Sequence, residues 1–297
     1  MRTAVVDIGT NSTRLLVADV ERDGELRELV RESLVTRLGE GVEAGGRLRP
    51  AARERVLEVV ERYASTIAEQ GAERALAVMT SAVRDAADGP EFATAVTSRT
   101  GLPGAILGGD EEAELTFAGA TAARSSDGLL VVDIGGGSTE LVAAGFHVSM
   151  QVGVVRHGER HLHGDPPTAA QLDALAADVR DALAAARPAG LDVRELVAVA
   201  GTATSCAAID LELEAYDTRR IEGHALDRAT LRALRDRLAA LPLAARRQVT
   251  GLHPDRAAVI VPGVLILLEV LDAFGLDRVR ASDRDILHGV ARALADR

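Results

Sequence analysis

Lysine and tryptophan are absent from this sequence of 297 residues, cysteine occurs once, and aromatic residues make up only 2%. Without lysine, there is no side-chain amine to bind phosphate or to form a Schiff base. Any phosphate would therefore be bound by arginine side chains and backbone N–H groups. With so few aromatic rings, recognition of nucleic-acid bases by stacking is excluded as a main binding mode. The single thiol, Cys206, allows no disulfide within the chain, which is typical of a reducing compartment.

The net charge and the hydropathy pattern further limit the partners and the cellular location that this protein can have. A net charge of −11 argues against a nucleic-acid-binding protein, whose binding face would be basic. No long apolar run is present, and Asp7 follows too soon after the N-terminus for a signal peptide, so we predict a soluble, cytoplasmic protein with no membrane partner. The length predicts about two domains, and an apolar content of 47% is ample for their cores.

One pattern occurs twice. Residues 5–14 read VVDIGTNSTR and residues 131–140 read VVDIGGGSTE, so that Asp7 and Asp133 lie 126 residues apart. In each copy a short β-branched run ends in Asp and is followed by glycine and hydroxyl residues, which predicts a strand, a tight turn and a second strand. The N–H groups of such a turn, together with Ser and Thr hydroxyls, can bind a phosphate group. The alternative is two ordinary glycine hairpins.

The two copies differ at their last residue, which is Arg14 in the first and Glu140 in the second. The first copy therefore offers a cation to phosphate oxygens, and the second offers a carboxylate to a metal ion or to water. Carboxylates beside a phosphate repel it unless a hard cation lies between them, and Mg²⁺ is the usual one. Neither copy is a nucleotide P-loop, because Gly-Lys-[Ser/Thr] is missing and the following residues favour a strand.

Two segments between the copies could contribute to the same chemistry. Residues 74–79 are predicted to form a strand that ends at Thr80-Ser81, and with Arg84 this is either an anion site or a helix cap with a surface arginine. A helix is predicted over 110–123, and its acidic first turn either complements the helix dipole or supplies a general base to water. The sequence does not decide whether residue 111, 112 or 114 would face a site.

After the second copy, residues 148–155 are predicted to form a strand, and the next segment contains His157, His161 and His163. The HExxH order of zinc enzymes is absent, so this segment is interpreted as the solvated start of a helix. Residues 195–200 are predicted to be a strand that leads to Gly201-Thr202 at a helix N-terminus, a third anion-binding turn. Strands and helices alternate, which indicates the α/β class.

Taken together, these motifs resemble the exopolyphosphatase / guanosine pentaphosphate phosphohydrolase family over essentially the whole chain. The matching segments are 7–14, 80–86, 109–115, 133–141, 153–156, 200–205 and 253–263. The resemblance implies two ribonuclease-H-like domains of the actin and sugar-kinase superfamily flanking a central cleft. We expect the first domain over 1–118, with the last helix, 284–297, packed back on it, and the second domain over 119–283.

The resemblance also implies the activity and the residues that perform it. The expected reaction is removal of terminal phosphate from inorganic polyphosphate, with Mg²⁺ or Mn²⁺ as cofactor. Guanosine penta- or tetraphosphate is the alternative ligand, for a phosphohydrolase or for a non-catalytic sensor, and a homodimer is the expected assembly. Glu112 occupies the position of the family's catalytic base. Asp133 and Glu140 occupy the positions of the family's catalytic carboxylates, which hold metal. The implied phosphate-binding residues are Asn11, Ser12, Arg14, Arg84, Gly136, Gly137, Ser138, Thr139, Gly201 and Thr202.

Three positions depart from the family pattern. Thr10 replaces a usual Ser, and Ala200 replaces the first Gly of the third turn, where we expect it to tighten the turn. Residues 282–289, SDRDILHG, lack the Arg-Glu pair that usually precedes the final glycine. The last departure puts in doubt a substrate or domain-contact role for that segment.

Overall fold

The computed structural model describes residues 1–22, 24–122 and 126–296. Up to residue 122 its elements are β1 (Arg2–Ile8), β2 (Ser12–Val20), β3 (Leu26–Val35), α1 (Val42–Gly45), α2 (Pro50–Gln70), β4 (Arg74–Met79), α3 (Ser81–Asp85), α4 (Gly89–Thr100), β5 (Gly104–Ile106) and α5 (Gly109–Thr121). Then follow β6 (Leu129–Ile134), β7 (Thr139–Ala143), β8 (Phe146–Met150), α6 (Val154–His161), α7 (Ala169–Ala186), β9 (Glu195–Val199), α8 (Ala200–Asp210), α9 (Thr218–Ile221), β10 (Ala225–Asp227), α10 (Arg228–Ala240), α11 (Leu243–Arg246), the 3-10 helix Pro254–Arg256, α12 (Ile260–Phe274), β11 (Arg278–Ala281) and α13 (Ile286–Ala295).

The described residues form two compact units. The first unit contains residues up to 122 together with 285–296, and the second contains 126–284. The sequence had suggested a boundary at 118/119 and a return to the first domain at 284.

The two units repeat one sheet topology. In the first unit the strand order is β3-β2-β1-β4-β5, with an antiparallel β1–β2–β3 meander and with β4 and β5 parallel to β1. In the second unit the order is β8-β7-β6-β9-β11-β10, with the same meander followed by parallel β9 and β11. Parallel strands need crossover helices, which alternate with the strands here. The predicted α/β class is confirmed.

The first unit covers its sheet with helices on both faces. On one face, α2 buries Val56, Val60, Tyr63 and Ile67, which recur at helical spacing. On the other, α13 packs its apolar side chains on β1, β2 and β4. There α13 also crosses α5, and the crossing is so close that a Cβ at Gly289 would lie 1.8 Å from the Leu115 carbonyl oxygen. Segment 282–289 therefore supplies a packed helix start.

The second unit has one continuous core beneath its sheet. Its central helix, α12, is buried along nearly its whole length and packs against α7, α8 and α10. The strand expected over 148–155 was wrong at its C-terminal end, because β8 stops at Met150 and α6 begins at Val154. The Val154 and Val155 N–H groups donate to the carbonyls of Gly135 and Gly136 instead of to a sheet partner.

Candidate active site

The two copies of the sequence pattern are the same structure in the two units. In β1 and β2, Asp7 is the register partner of Arg14; in β6 and β7, Asp133 is the partner of Glu140. Each turn is closed by the same hydrogen bond, from Gly9 N–H to the Ser12 carbonyl at 3.0 Å, and from its counterpart 126 residues later at 2.9 Å. The repeat predicted from sequence is therefore a hairpin formed by the first two strands along the chain of each unit.

In the first unit, Arg14 lies between two buried carboxylates. Its Nε and Nη2 donate to one oxygen of Asp7 at 2.9 and 2.6 Å, and its Nη1 donates to Asp285. Burial raises the pKa of Asp7 despite this contact. Burial also acts to raise the pKa of Asp285, but Arg14 and His288 outweigh it and hold that pKa well below its usual range. The guanidinium predicted to bind phosphate thus already neutralises protein charge.

Asp285 was missed by the sequence reasoning, although it belongs to the divergent segment 282–289. It is 1% exposed and begins α13, where its carboxylate accepts from the Leu287 N–H at 3.0 Å. His288 Nδ1 in turn accepts from the Asp285 N–H at 3.3 Å, and its Nε2 lies 2.9 Å from Glu28. The segment that lacks the family's Arg-Glu pair therefore places the Asp285 carboxylate on Arg14.

Glu112 is the buried member of the acidic helix start. It is 7% exposed, whereas Glu111 and Glu114 are exposed, so Glu112 is the buried residue of these three. Arg84 Nη1 donates to Glu112 Oε2 at 2.8 Å and to the Leu107 carbonyl at 3.1 Å. Burial raises the pKa of Glu112 from 4.5 to about 7, against the opposing effect of Arg84. A carboxyl with this pKa can accept a proton near neutral pH.

Several buried polar atoms of this unit have no hydrogen-bond partner among the described residues, and two of them belong to candidate site residues. They are Oδ1 of Asp7 and Nη2 of Arg84, both inaccessible to solvent and without a hydrogen bond. Buried polar atoms are almost always paired, so an unpaired one suggests a group that binds there. An unpaired acceptor suits a cation or a water, and an unpaired guanidinium N–H suits an anion. Arg84 therefore remains a candidate phosphate ligand as well as the partner of Glu112.

The second unit brings together the carboxylates predicted to hold metal. Asp133 and Glu140 are 7% and 1% exposed and face each other across β6 and β7. Ser149 on β8 donates to Glu140 Oε1 at 2.7 Å, a contact not foreseen from sequence. Two buried carboxylates are hard oxygen donors of the kind that Mg²⁺ binds, with water and phosphate oxygens completing its six ligands. Among the described residues no cluster of three or more His, Cys, Asp or Glu side chains could hold a metal.

The glycine turn beside these carboxylates is held by the start of α6. Arg156 N–H donates to the Gly136 carbonyl at 3.2 Å, and its Nε donates to the Gly137 carbonyl at 2.7 Å. Ser138 is buried at the end of this turn. Thr139 was predicted to bind phosphate, but its hydroxyl is fully buried and donates to the Val152 carbonyl at 2.6 Å. The turn therefore has a fixed backbone, as a phosphate-binding nest requires.

The third predicted turn begins α8. Ala200 adopts φ 62°, in the left-handed region that favours glycine, so the substitution noted in the sequence carries backbone strain. Gly201 lies under Arg256, and a Cβ there would be 1.4 Å from Arg256 Nη1. Thr202 follows, 6% exposed. Arg256 was missed individually, although it lies within the matching segment 253–263, and its guanidinium is brought to this helix N-terminus.

The histidine segment contributes to the fold of the second unit. His157 was interpreted as solvated, and this was wrong, because it is 1% exposed. Its Nδ1 accepts from the Gly153 N–H at 3.3 Å, and burial lowers its pKa to about 4. His161 Nε2 lies 2.8 Å from Asp178. His157 therefore holds the beginning of α6, which supports the glycine turn at 135–137, and His161 connects the end of α6 to α7.

Sequence and structure comparisons identify the family. The profile of the Ppx/GppA phosphatase family matches residues 16–297. The chain belongs to this family. The resemblance drawn from the motifs is thereby confirmed, as is the interpretation of the chain as a phosphatase enzyme.

Three relatives show how far the likeness extends. Exopolyphosphatase 2 of Mycobacterium tuberculosis is 38% identical, over 99% of this chain and 98% of the relative. The solved PPX-GPPA enzyme of Aquifex aeolicus is 29% identical with a TM-score of 0.82, over 99% of both chains. An exopolyphosphatase structure from Cytophaga hutchinsonii, 24% identical, shares the fold with a TM-score of 0.87 over 100% of this chain and 98% of that one. The predicted fold class, two ribonuclease-H-like domains of the actin-like superfamily, is confirmed. In the described part of the chain, no helix is long and apolar enough to cross a membrane.

Proposed function

We propose that the protein is an exopolyphosphatase that hydrolyses the terminal phosphate of inorganic polyphosphate, with Glu112 as general base. The observation that carries this proposal is the environment of Glu112, a buried carboxyl whose pKa is about 7 and which is bound to Arg84. A buried carboxyl with a strongly raised pKa beside a specific charge partner is a common feature of catalytic sites. The name and the near-complete coverage of the mycobacterial relative support polyphosphate as the substrate.

The reaction adds one water across one phosphoanhydride bond. A water oxygen attacks the terminal phosphorus while its proton passes to Glu112, a new P–O bond forms, and the bond to the bridging oxygen breaks. The products are inorganic phosphate and a chain one phosphate shorter, and the proton on Glu112 returns to solvent. No covalent phosphoenzyme is needed. Arg84 has an Nη2 atom without a partner among the described residues, and that atom would donate to a non-bridging phosphate oxygen.

The residues of the second unit fit a divalent cation. Asp133 and Glu140 would hold Mg²⁺, or Mn²⁺, through their carboxylate oxygens, with Ser149 orienting Glu140. Bound there, the cation would neutralise charge on phosphate oxygens. The N–H groups of residues 136–138 and of Gly201 and Thr202 would bind phosphate oxygens at the two remaining turns. The homodimer and the cytoplasmic location expected from sequence stay predictions.

A substrate panel tests the proposal. Phosphate release is measured with long-chain polyphosphate, tripolyphosphate, guanosine pentaphosphate and ATP, each in Mg²⁺ and in excess chelator. We expect the highest kcat/KM with polyphosphate, and loss of activity in chelator that Mg²⁺ or Mn²⁺ restores. A higher kcat/KM with guanosine pentaphosphate would assign the alternative substrate. Binding of a guanosine phosphate without any turnover would assign a sensor, and full activity in chelator would refute the metal-binding role of Asp133 and Glu140.

A further inference from the structure

The segment that follows β3 is fixed against the first phosphate-binding turn. The N–H groups of Thr36 and Arg37 both donate to the Asn11 carbonyl, at 3.0 and 2.9 Å, and the Gly39 N–H donates to the Thr10 carbonyl at 2.8 Å. The hydroxyls of Thr13 and Thr36 are also 2.9 Å apart. Residues 36–39 therefore line the turn that contains two of the predicted phosphate ligands, Asn11 and Ser12.

Arg37 has an unusual backbone within this segment. Its φ is 52°, in the left-handed region, where a side chain with a Cβ is strained and glycine is not. The hydrogen bond from its N–H to the Asn11 carbonyl helps to hold it there. Strained residues persist where the surrounding structure enforces them, and they cluster at functional sites. A large cationic side chain at a position where glycine would be less costly needs a reason.

The surroundings of the Arg37 side chain provide a reason. Arg14 is bound by Asp7 and Asp285, and Arg84 is bound by Glu112, so both cations predicted to face phosphate are partly neutralised by carboxylates. Arg37 is half-buried, and within the described part of the chain its guanidinium has no hydrogen bond or ion pair. Its backbone is bonded to the turn, and no carboxylate of the described residues forms an ion pair with its guanidinium.

We propose that Arg37 is a further substrate-binding residue, whose guanidinium donates to phosphate oxygens of the polyphosphate held at the turn formed by residues 9–12. This inference rests on the proposed function. An arginine can offer two parallel N–H donors to one phosphate group, and such charge-assisted contacts are among the stronger hydrogen bonds. The left-handed backbone at residue 37 is then the strain that places this side chain at the turn.

Two substitutions distinguish the effect of losing the Arg37 side chain from the effect of its strained backbone. Arg37→Gly and Arg37→Asn both suit a left-handed φ, so neither should lower the unfolding temperature. The matched control is Arg47→Ala, which removes a 65% exposed arginine whose ion pair to Asp88 is 4.0 Å long. KM and kcat for polyphosphate and thermal unfolding are measured for all three variants and for the wild type. The affinity for tripolyphosphate is measured by calorimetry in Mg²⁺, with Glu112→Gln added to each protein to prevent turnover.

We expect both Arg37 variants to raise KM and to weaken tripolyphosphate binding about 10-fold or more, with kcat changed far less and unfolding temperatures equal to or above that of the wild type. The control should match the wild type in every measurement. Wild-type KM in active Arg37→Gly overturns this inference and leaves the proposed function standing. If the wild type releases no phosphate from polyphosphate, the proposed function fails, and unchanged tripolyphosphate affinity in both variants would then also overturn the inference. Weaker binding accompanied by lower unfolding temperatures in both variants would assign Arg37 to the fold and refute the inference as well.

Discussion

Replacing Glu112 by Gln tests the proposed mechanism most directly, because it removes one proton acceptor and keeps the shape of the side chain. The amide oxygen can still accept from Arg84, whose Nη1 lies 2.8 Å from Oε2 in the native protein. Loss of a general base typically lowers the rate by about 10²–10⁴. We therefore expect Glu112→Gln to lose at least about 99% of kcat, while tripolyphosphate binding and the fold are retained.

The raised pKa of Glu112 adds a pH dependence whose sign and size follow from the structure. In the wild type, kcat/KM should fall about tenfold per pH unit below a pKa of about 7 and level off above it, because only the ionised carboxylate accepts the proton. Stability should change in the opposite direction. Between pH 4.5, the ordinary pKa, and about 7, the folded state binds more protons than the unfolded state, so the free energy of unfolding falls as pH rises. The total change from this group is about 3 kcal/mol.

Denaturant unfolding at pH 5, 6, 7 and 8 measures the contribution of Glu112 to stability. That contribution is the difference in the free energy of unfolding between the wild type and Glu112→Gln. The subtraction removes groups common to both proteins, such as Asp7 and His288, whose pKa values are also raised. Glu111→Gln is the matched control, since its side chain is exposed and adjacent, and it should change neither activity nor the stability profile. The reasoning is refuted if Glu112→Gln retains more than a tenth of wild-type turnover, or if the two stability profiles stay parallel from pH 5 to 8.

Two more substitutions test the interpretation of the first and third turns. Arg14→Ala should lower the free energy of unfolding by about 3–5 kcal/mol, because Asp7 and Asp285 remain buried without their cation. Chemical denaturation checks this, and an increase in KM with unchanged stability would contradict it. Ala200→Gly should raise the stability by about 1 kcal/mol, since it relieves a φ of 62° and this gain exceeds the backbone entropy that glycine adds to the unfolded chain. Thermal unfolding checks this, and a lower unfolding temperature would mean that residue 200 is not strained.

The parts of the site that the sequence predicted well are those fixed by short-range rules. An apolar β-branched run, an aspartate and a glycine turn define each hairpin within about ten residues, so both copies could be placed without knowing the rest of the chain. Strands Arg74–Met79 and Arg278–Ala281 were likewise predicted with their observed bounds. In each case the local pattern and the tertiary environment favour the same conformation.

The parts that it missed depend on contacts between residues far apart in the chain. Asp285 lies 271 residues from Arg14, and nothing in its own segment shows which cation it would meet. The buried face of α5 could have been predicted from the sequence, because Ala113, Thr116 and Ala120 have helical spacing. The same buried face includes Glu112. The left-handed backbone of Arg37 follows from hydrogen bonds to the Asn11 carbonyl, which sequence patterns do not report.

The two copies of the repeated pattern differ at three positions, and the exchange of Arg14 for Glu140 has a physical meaning. In the first unit the partner of the strand-end aspartate is Arg14, so that Asp7 and Asp285 are compensated by a cation built into the fold. In the second unit the partner is Glu140, so two buried carboxylates face each other and offer hard oxygen ligands that suit a divalent cation. A single Arg-for-Glu exchange at one register position thus turns the same hairpin from a self-neutralised turn into a candidate metal site. On this reasoning the first hairpin should keep its fold in chelator, whereas the second should gain stability when Mg²⁺ binds.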